Sequence, residues 1–249
     1  MFTDKVIRKF LSKKSQKEAN SFLLFEKEQP FNNLYDIGMS VSRTPDSGVK
    51  RRARFYNLIS FLKQTADIEG GIVECGCWKG LSSYLMTTYI KGSQPEFKGE
   101  HYHIFDSFEG LSQPTSEDVI NYKLVDKQGD RKGSFFKAAG AYNANLLDVK
   151  NVLKDFPAIT FYQGWIPQVL PKFSAEKLRF VHIDLDLYEP IIGALEFFYP
   201  MLVRGGIVVC DDYGSLYWPG AKKAVEEFAE KHALKFISLS TGQAVFIKE

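Results

Sequence analysis

Hydrophobic residues change period several times along the chain, and each change marks an element. Phe2, Val6, Phe10 and Leu11 recur near helical spacing among lysines, which predicts one or two helical segments over residues 1–28. Pro30, Asn32, Asn33, Pro45 and Gly48 punctuate residues 29–49, so that stretch reads as loop. Helical periodicity resumes in RRARFYNLISFLKQTADI. Beyond it, short apolar runs alternate with helical stretches: GIVECG, HYHIFD, AITFYQGW, LRFVHIDLD and GGIVVCDD read as strands, LSSYLMTTYIKG and EPIIGALEFFYPML as helices. Pro190 suits a first helical turn, and Pro200 falls where that helix should stop. Such alternation predicts an α/β fold, a mostly parallel central sheet with helices on both faces. The tail adds a charged helix and two strands about STGQ, expected as an antiparallel hairpin at the sheet edge.

Two further boundaries follow. Residues 1–65 are expected to form a helical arm or cap, of which residues 1–28 read as an arm packed on the domain or on a partner subunit, leaving a homo-oligomer open, with a membrane-surface helix as the alternative. Residues 66–249 form the main domain. Within it, residues 112–154 are polar, contain glycine and are too long for a simple crossover, so a lid-like insertion is expected there, with short helices the pattern does not place.

Composition narrows the functional classes. The 249 residues, 45% hydrophobic and 25% charged, suffice for one large core. Lys+Arg 32 against Asp+Glu 30 leaves a net charge of +2, which gives no chain-wide case for a nucleic-acid or membrane partner. No run approaches the roughly 20 apolar residues of a spanning helix, and the N-terminus lacks a signal-peptide core, so a cytoplasmic protein is expected. Cys75, Cys77 and Cys210 are an odd set that argues against a disulfide scaffold, and the four histidines show no spacing that would complete a zinc site with Cys75 and Cys77.

In open α/β sheets ligands bind beyond the carboxyl ends of the strands. The first such end, VECGCWKG, places Gly76 and Gly80 in a strand-to-helix turn but lacks the dinucleotide fingerprint, and Trp78 would crowd a pyrophosphate. A cofactor without phosphates fits better. S-adenosylmethionine needs an acceptor for its ammonium near this turn, where Glu74 stands, and an acid for its ribose after the second strand, where Asp106 stands. Asp184 and Asp186 are two apart, which in a strand puts them on one face, and Asp211 and Asp212 end the next strand. Four clustered carboxylates repel one another and need protonation, a basic partner or a cation; for a cation, all-oxygen donors favour Mg²⁺. His182, deeper in the strand, is expected to be a hydrogen-bonded core residue rather than a ligand. Tyr188, Tyr213, Tyr217 and Trp218 border the acids and are candidates for a sugar-binding cleft or for core packing.

VECGCWKG, FDSFEGL, HIDLDLYEP, LVRGGIVVCDDYG and WPGAKKAVEEF, in this order, resemble the macrocin O-methyltransferase family, most closely over residues 70–111 and 160–247. The resemblance implies a Rossmann-like class I methyltransferase fold, S-adenosylmethionine and Mg²⁺. It assigns Asp184, Asp211 and Asp212 to the metal and Asp186 to the general base, a division that spacing does not make. It also assigns Glu74, Gly76 and Gly80 to the turn around the methionine part of the cofactor, with Trp78 beside it. Asp106 and Ser107 fall at the ribose, and Gln163, Gly164 and Trp165 at the adenine wall. The implied activity is metal-dependent O-methylation of a sugar hydroxyl on a small-molecule acceptor with vicinal hydroxyls. The alternatives are a catechol-type enzyme acting on an aromatic diol and a non-catalytic S-adenosylmethionine-binding protein.

Overall fold

A computed structural model describes residues 27–45, 48–126, 129–135, 139–174 and 176–249. The helical arm expected before residue 27 lies outside the described residues. Five strands predicted from the sequence form the parallel part of a seven-stranded sheet: β1 (Gly71–Cys75), β2 (Tyr102–Asp106), β5 (Thr160–Gln163), β6 (Leu178–Ile183) and β7 (Leu202–Cys210). With β8 (Ile237–Ser238) and β9 (Ala244–Ile247) the order is β5-β2-β1-β6-β7-β9-β8. Among the described strands of this sheet β9 alone is reversed, pairing antiparallel with both β7 and β8, as expected for the hairpin around STGQ.

Alternation along the strands builds the two faces. Val73, Val181, Val208 and Phe246 point into one apolar core with α5 (Tyr188–Phe198) and α6 (Pro219–Lys231). Ile72, Phe180, Val209 and Val245 point into the other, shared with α1 (Gln29–Ser42), α2 (Val49–Gln64), α3 (Leu81–Ser93) and α4 (Leu146–Val152). The layers are therefore helix, sheet, helix, and the α/β expectation holds.

Residues 29–49 depart from the loop reading, because Gln29–Ser42 is helical. Pro30 sits in the first turn, where its missing N–H costs nothing. Phe31, Tyr35, Gly38 and Ser42 form the buried stripe, and Arg43 ends the helix in the left-handed region. Turn-type residues outweighed a valid 3.6-residue period.

The segment 112–154 proves to be more strand than helix. A short 3-10 turn, Ser116–Asp118, leads into a separate antiparallel hairpin of β3 (Ile120–Asp126) and β4 (Gly129–Phe135), and α4 follows. Asp118 anchors its base: Oδ1 accepts the Tyr188 N–H at the start of α5 (2.8 Å), and Oδ2 accepts the Thr115 N–H (2.8 Å). No described helix is long and apolar enough to cross a membrane.

Candidate active site

A cleft of about 510 Å³ opens beyond the carboxyl ends of β1, β2, β6 and β7, within the usual size of small-molecule sites. One half is built by the turn after β1. Gly76 has φ +83, and a Cβ there would lie 2.0 Å from the Asp184 carbonyl oxygen, a backbone atom that cannot give way. Trp78 is also left-handed, at φ 45. Its conformation is held from β2: the Cys77 and Trp78 N–H groups donate to Asp106 Oδ2 (2.8 and 3.1 Å), and the Phe108 N–H donates to Oδ1 (2.7 Å). Asp106 thus couples two strand ends. Ser107 Oγ donates to the Gly110 carbonyl at 2.8 Å, and Trp165 Nε1 reaches the same carbonyl at 3.3 Å. Gly76, Trp78, Asp106, Ser107, Gly164 and Trp165 all line the cleft.

Three residues expected at the cofactor do not line it. Gln163 is exposed at the end of β5, and Gly80 caps α3 against Val149. Glu74 is fully buried behind the cleft, opposite His182 in the β1–β6 register. Its carboxylate accepts from Ser83 Oγ and from the Tyr102 hydroxyl (3.2 Å), and it pairs with His182 Nδ1 (3.0 Å). Strand alternation turns Glu74 away from the turn that it precedes.

The carboxylates form the other half. β6 ends at Ile183, so Asp184 and Asp186 lie in the following loop and do not share a strand face. They converge because the loop turns sharply, with Asp186 at φ +62, and because the Asp186 N–H donates to Asp212 Oδ2 (3.2 Å). Asp and Asn tolerate that region better than other side chains. One oxygen each from Asp184, Asp186 and Asp212 lies within 4.8 Å of the others, and Asp184 and Asp211 make a second group with His182.

Two cationic groups hold the inner end of the cluster. Arg54, from α2, donates through Nη2 to Asp211 Oδ2, to the Asp211 carbonyl (3.0 Å) and to Asp212 Oδ1 (3.2 Å), and lies 3.9 Å from Asp184. Burial disfavours its charge, but Asp211, Asp212 and Asp184 hold it protonated. His182 Nε2 lies 3.6 Å from Asp211 Oδ1, too far for a hydrogen bond but within ion-pair reach. Burial would lower the imidazolium, yet Asp211 and Glu74 hold its pKa up, at about 10. Gln243 Nε2 also donates to Asp211 Oδ1 (2.7 Å). Asp211 is consequently pulled below the usual carboxylate range, by Arg54 and then His182, against a burial cost that would raise it.

The other three acids move the opposite way. Asp184 and Asp186 are pushed well above the carboxylate range, first by burial and then by repulsion from Asp212; Asp212 is raised by burial and Asp211. Because 36% of the Asp184 side chain is exposed to the cleft, water tempers its shift. Arg54 and His182 bear on the inner acids, while Asp184, Asp186 and Asp212 crowd together and offer only oxygen donors. This set fits a hard divalent cation.

Sequence reasoning missed Arg54, Gln243 and Tyr142. Tyr142 packs edge-on against both Trp78 (5.7 Å) and Trp218 (6.3 Å), joining the two halves of the cleft. Of the four aromatics named beside the acids only Trp218 lines the cleft, since Tyr188 and Tyr213 bond Glu227 and Glu226. Arg54 alone left a trace: α2 carries five basic residues and no acid, so its partners had to come from elsewhere.

Residues 9–241 match the macrocin-O-methyltransferase (TylF) family. The chain belongs to this family. Among curated relatives it is 27% identical, over 66% of its length, to the demethyldecarbamoylnovobiocin O-methyltransferase of Streptomyces niveus, and it spans 60% of that protein. A tetracenomycin rhamnosyl 4'-O-methyltransferase of Streptomyces olivaceus is 27% identical over 72% of the chain and 66% of its own length. The solved structure of the O-methyltransferase NovP superposes with a TM-score of 0.64 at 22% identity, covering 81% of this chain and 80% of that one. That likeness confirms the fold.

Proposed function

We propose that this member of the macrocin-O-methyltransferase family is an S-adenosylmethionine-dependent, divalent-metal-dependent O-methyltransferase whose acceptor is a hydroxyl of a sugar or sugar-bearing natural product. The observation that carries the reading is the convergence, in one cleft, of a glycine turn that lacks the dinucleotide fingerprint with carboxylates that follow β6 and β7. The rhamnosyl acceptor in the name of the Streptomyces olivaceus relative supports the sugar.

In this reading Gly76 and Trp78 take the methionine part of the donor, Asp106 and Ser107 its ribose, and Gly164 and Trp165 its adenine. Asp184 and Asp212 would hold the metal, joined by Asp211, and the ion would supply a Lewis acid that lowers the pKa of an acceptor hydroxyl. Asp186, made more basic by burial and by its acidic neighbours, takes the hydroxyl proton. The acceptor oxygen forms its bond to the methyl carbon as the carbon–sulfur bond breaks, and sulfur leaves as a neutral thioether. The sulfonium donor is already activated, so placement supplies much of the rate. Tyr142 and Trp218, which line the cleft, flank the acceptor.

The test is methyl transfer to a panel of rhamnosides and catechols, with and without EDTA, and with Asp186→Asn. The reading expects a glycoside to be methylated, with loss of turnover in EDTA and a fall of 10² to 10⁴ in the variant. Preference for catechols would redirect the acceptor assignment, and full turnover in EDTA by both proteins would remove the mechanism.

A further inference from the structure

We infer that Arg54 is a tethered counter-cation of the carboxylate cluster, which holds Asp211 and Asp212 when no divalent ion is present and is displaced into the cleft when one binds. The inference rests on the metal-dependent reading above. It concerns a residue of α2, far in sequence from the acids that it holds.

Arg54 bonds or approaches the acids that the reading assigns to the ion. Arg54 Nη2 bonds Asp211 Oδ2 and Asp212 Oδ1, and its distance to Asp184 Oδ1 is 3.9 Å. These are oxygens of the three aspartates that the reading assigns to the ion. A guanidinium so placed and a divalent cation on the same oxygens would lie within a few ångströms of each other, where like charges repel strongly. One must leave.

The surroundings decide which part moves. The α2 backbone is pinned: Gln243 Nε2 donates to the Arg54 carbonyl (3.2 Å), Asn57 Nδ2 donates to Thr241 Oγ1 (3.0 Å), and Phe55, Leu58 and Leu62 are buried in the core. Asp211 keeps a partner without Arg54, because Gln243 still donates to its Oδ1. The Arg54 side chain is 24% exposed and lines the cleft, so rotation of its long stem suffices to carry the guanidinium off the acids. Among the described residues its buried Nε has no hydrogen-bond partner. The inner station thus leaves one donor unsatisfied, as suits a position that is given up. Once displaced, the guanidinium stands on the acceptor side of the cleft and leaves Asp211 Oδ2 open.

Magnesium titration calorimetry of the full chain tests this, comparing wild type, Arg54→Met and, as a control for simple charge removal, Lys63→Met at the far end of α2. Competition predicts that Arg54→Met binds Mg²⁺ at least tenfold more tightly, and that Lys63→Met stays within about twofold of wild type. Arg54→Lys, which keeps the charge, covers the case in which Arg54→Met fails to fold, and it is expected to remain within about threefold of wild type. A measurement on unaltered protein runs in parallel: phenylglyoxal labelling read by mass spectrometry, where Arg54 is expected to be protected in EDTA and modified in saturating Mg²⁺. Equal or weaker Mg²⁺ binding by Arg54→Met, or labelling that does not rise with Mg²⁺, overturns the inference. If wild type meanwhile binds Mg²⁺ and loses methyl transfer in EDTA, the proposed function stands and only the role of Arg54 falls. Absence of Mg²⁺ binding in every variant overturns both.

Discussion

Glu74→Ala separates two accounts of the acid that precedes the glycine turn. In one, suggested by its position near the carboxyl end of β1, Glu74 receives the cofactor ammonium. In the other, given by its burial, it is a structural hub for Ser83, Tyr102 and His182. The alanine variant leaves three buried donors without this acceptor. The two hydroxyls can rotate toward other partners, and Tyr102 already lies 4.0 Å from Met86 Sδ. The imidazolium keeps only the longer contact of its Nε2 with Asp211 (3.6 Å), and breaking a buried ion pair by removing one partner costs about 3–5 kcal/mol. For a chain of this size each kcal/mol lowers Tm by roughly 2–4 °C, so the drop should be on the order of 10 °C. Differential scanning fluorimetry reads the first effect, and calorimetric titration with S-adenosylhomocysteine, below the variant's transition, reads the second. The buried hub predicts a large fall in Tm with cofactor affinity within about threefold of wild type. A Tm within about 2 °C of wild type, together with affinity lost tenfold or more, would show that Glu74 reaches the cofactor and that the hub account is wrong.

Gly76→Ala should be worse than a usual glycine substitution, because the added Cβ meets the Asp184 carbonyl at 2.0 Å at a left-handed position; chemical denaturation is expected to show a loss above about 2 kcal/mol, with weakened Mg²⁺ binding. His182 gives a pH signature in EDTA: its pKa near 10 lies above the unfolded value of 6.5, so its contribution is complete below pH 6.5 and is lost as pH rises toward 10. Unfolding free energy should fall over that window by up to about 1.4 kcal/mol per pH unit from this group, and His182→Asn should flatten the profile; an unchanged slope would contradict the pairing. Asp118→Ala removes the cap on α5 and the tie to Thr115, so limited proteolysis should cut near residues 112–119 sooner, with stability down by about 1–2 kcal/mol.

The sheet was legible because its central strands announce themselves twice, by a short, mostly apolar run and by the polar residues that follow it. β6 and β7 show both signals, and the aspartates after them lie at the cleft as expected. What misled was conformation beyond the strand. The convergence of Asp184 and Asp186 depends on a left-handed residue at 186, which no alternation rule contains. Gln29–Ser42 was hidden by Pro30 and two asparagines near its start, which are compatible with a helix N-terminus as well as with a loop. Glu74 shows a third limit: its place in the chord of motif residues suggested a ligand contact, while its side of β1 sends it inward to His182. Long-range partners such as Arg54 and Gln243 become visible only when the helix and the hairpin are packed, 157 and 32 residues from Asp211.

The claim on which the account stands is that the acids after β6 and β7 hold a divalent ion beside the methyl donor. A crystal grown with S-adenosylhomocysteine and Mn²⁺, measured at the manganese edge, tests it most directly. The account predicts one anomalous peak bounded by Asp184, Asp211 and Asp212, with the thioether sulfur in the same cleft and Arg54 turned away. Saturated cofactor density with no peak at these aspartates, and Arg54 still bonded to Asp211, would contradict it.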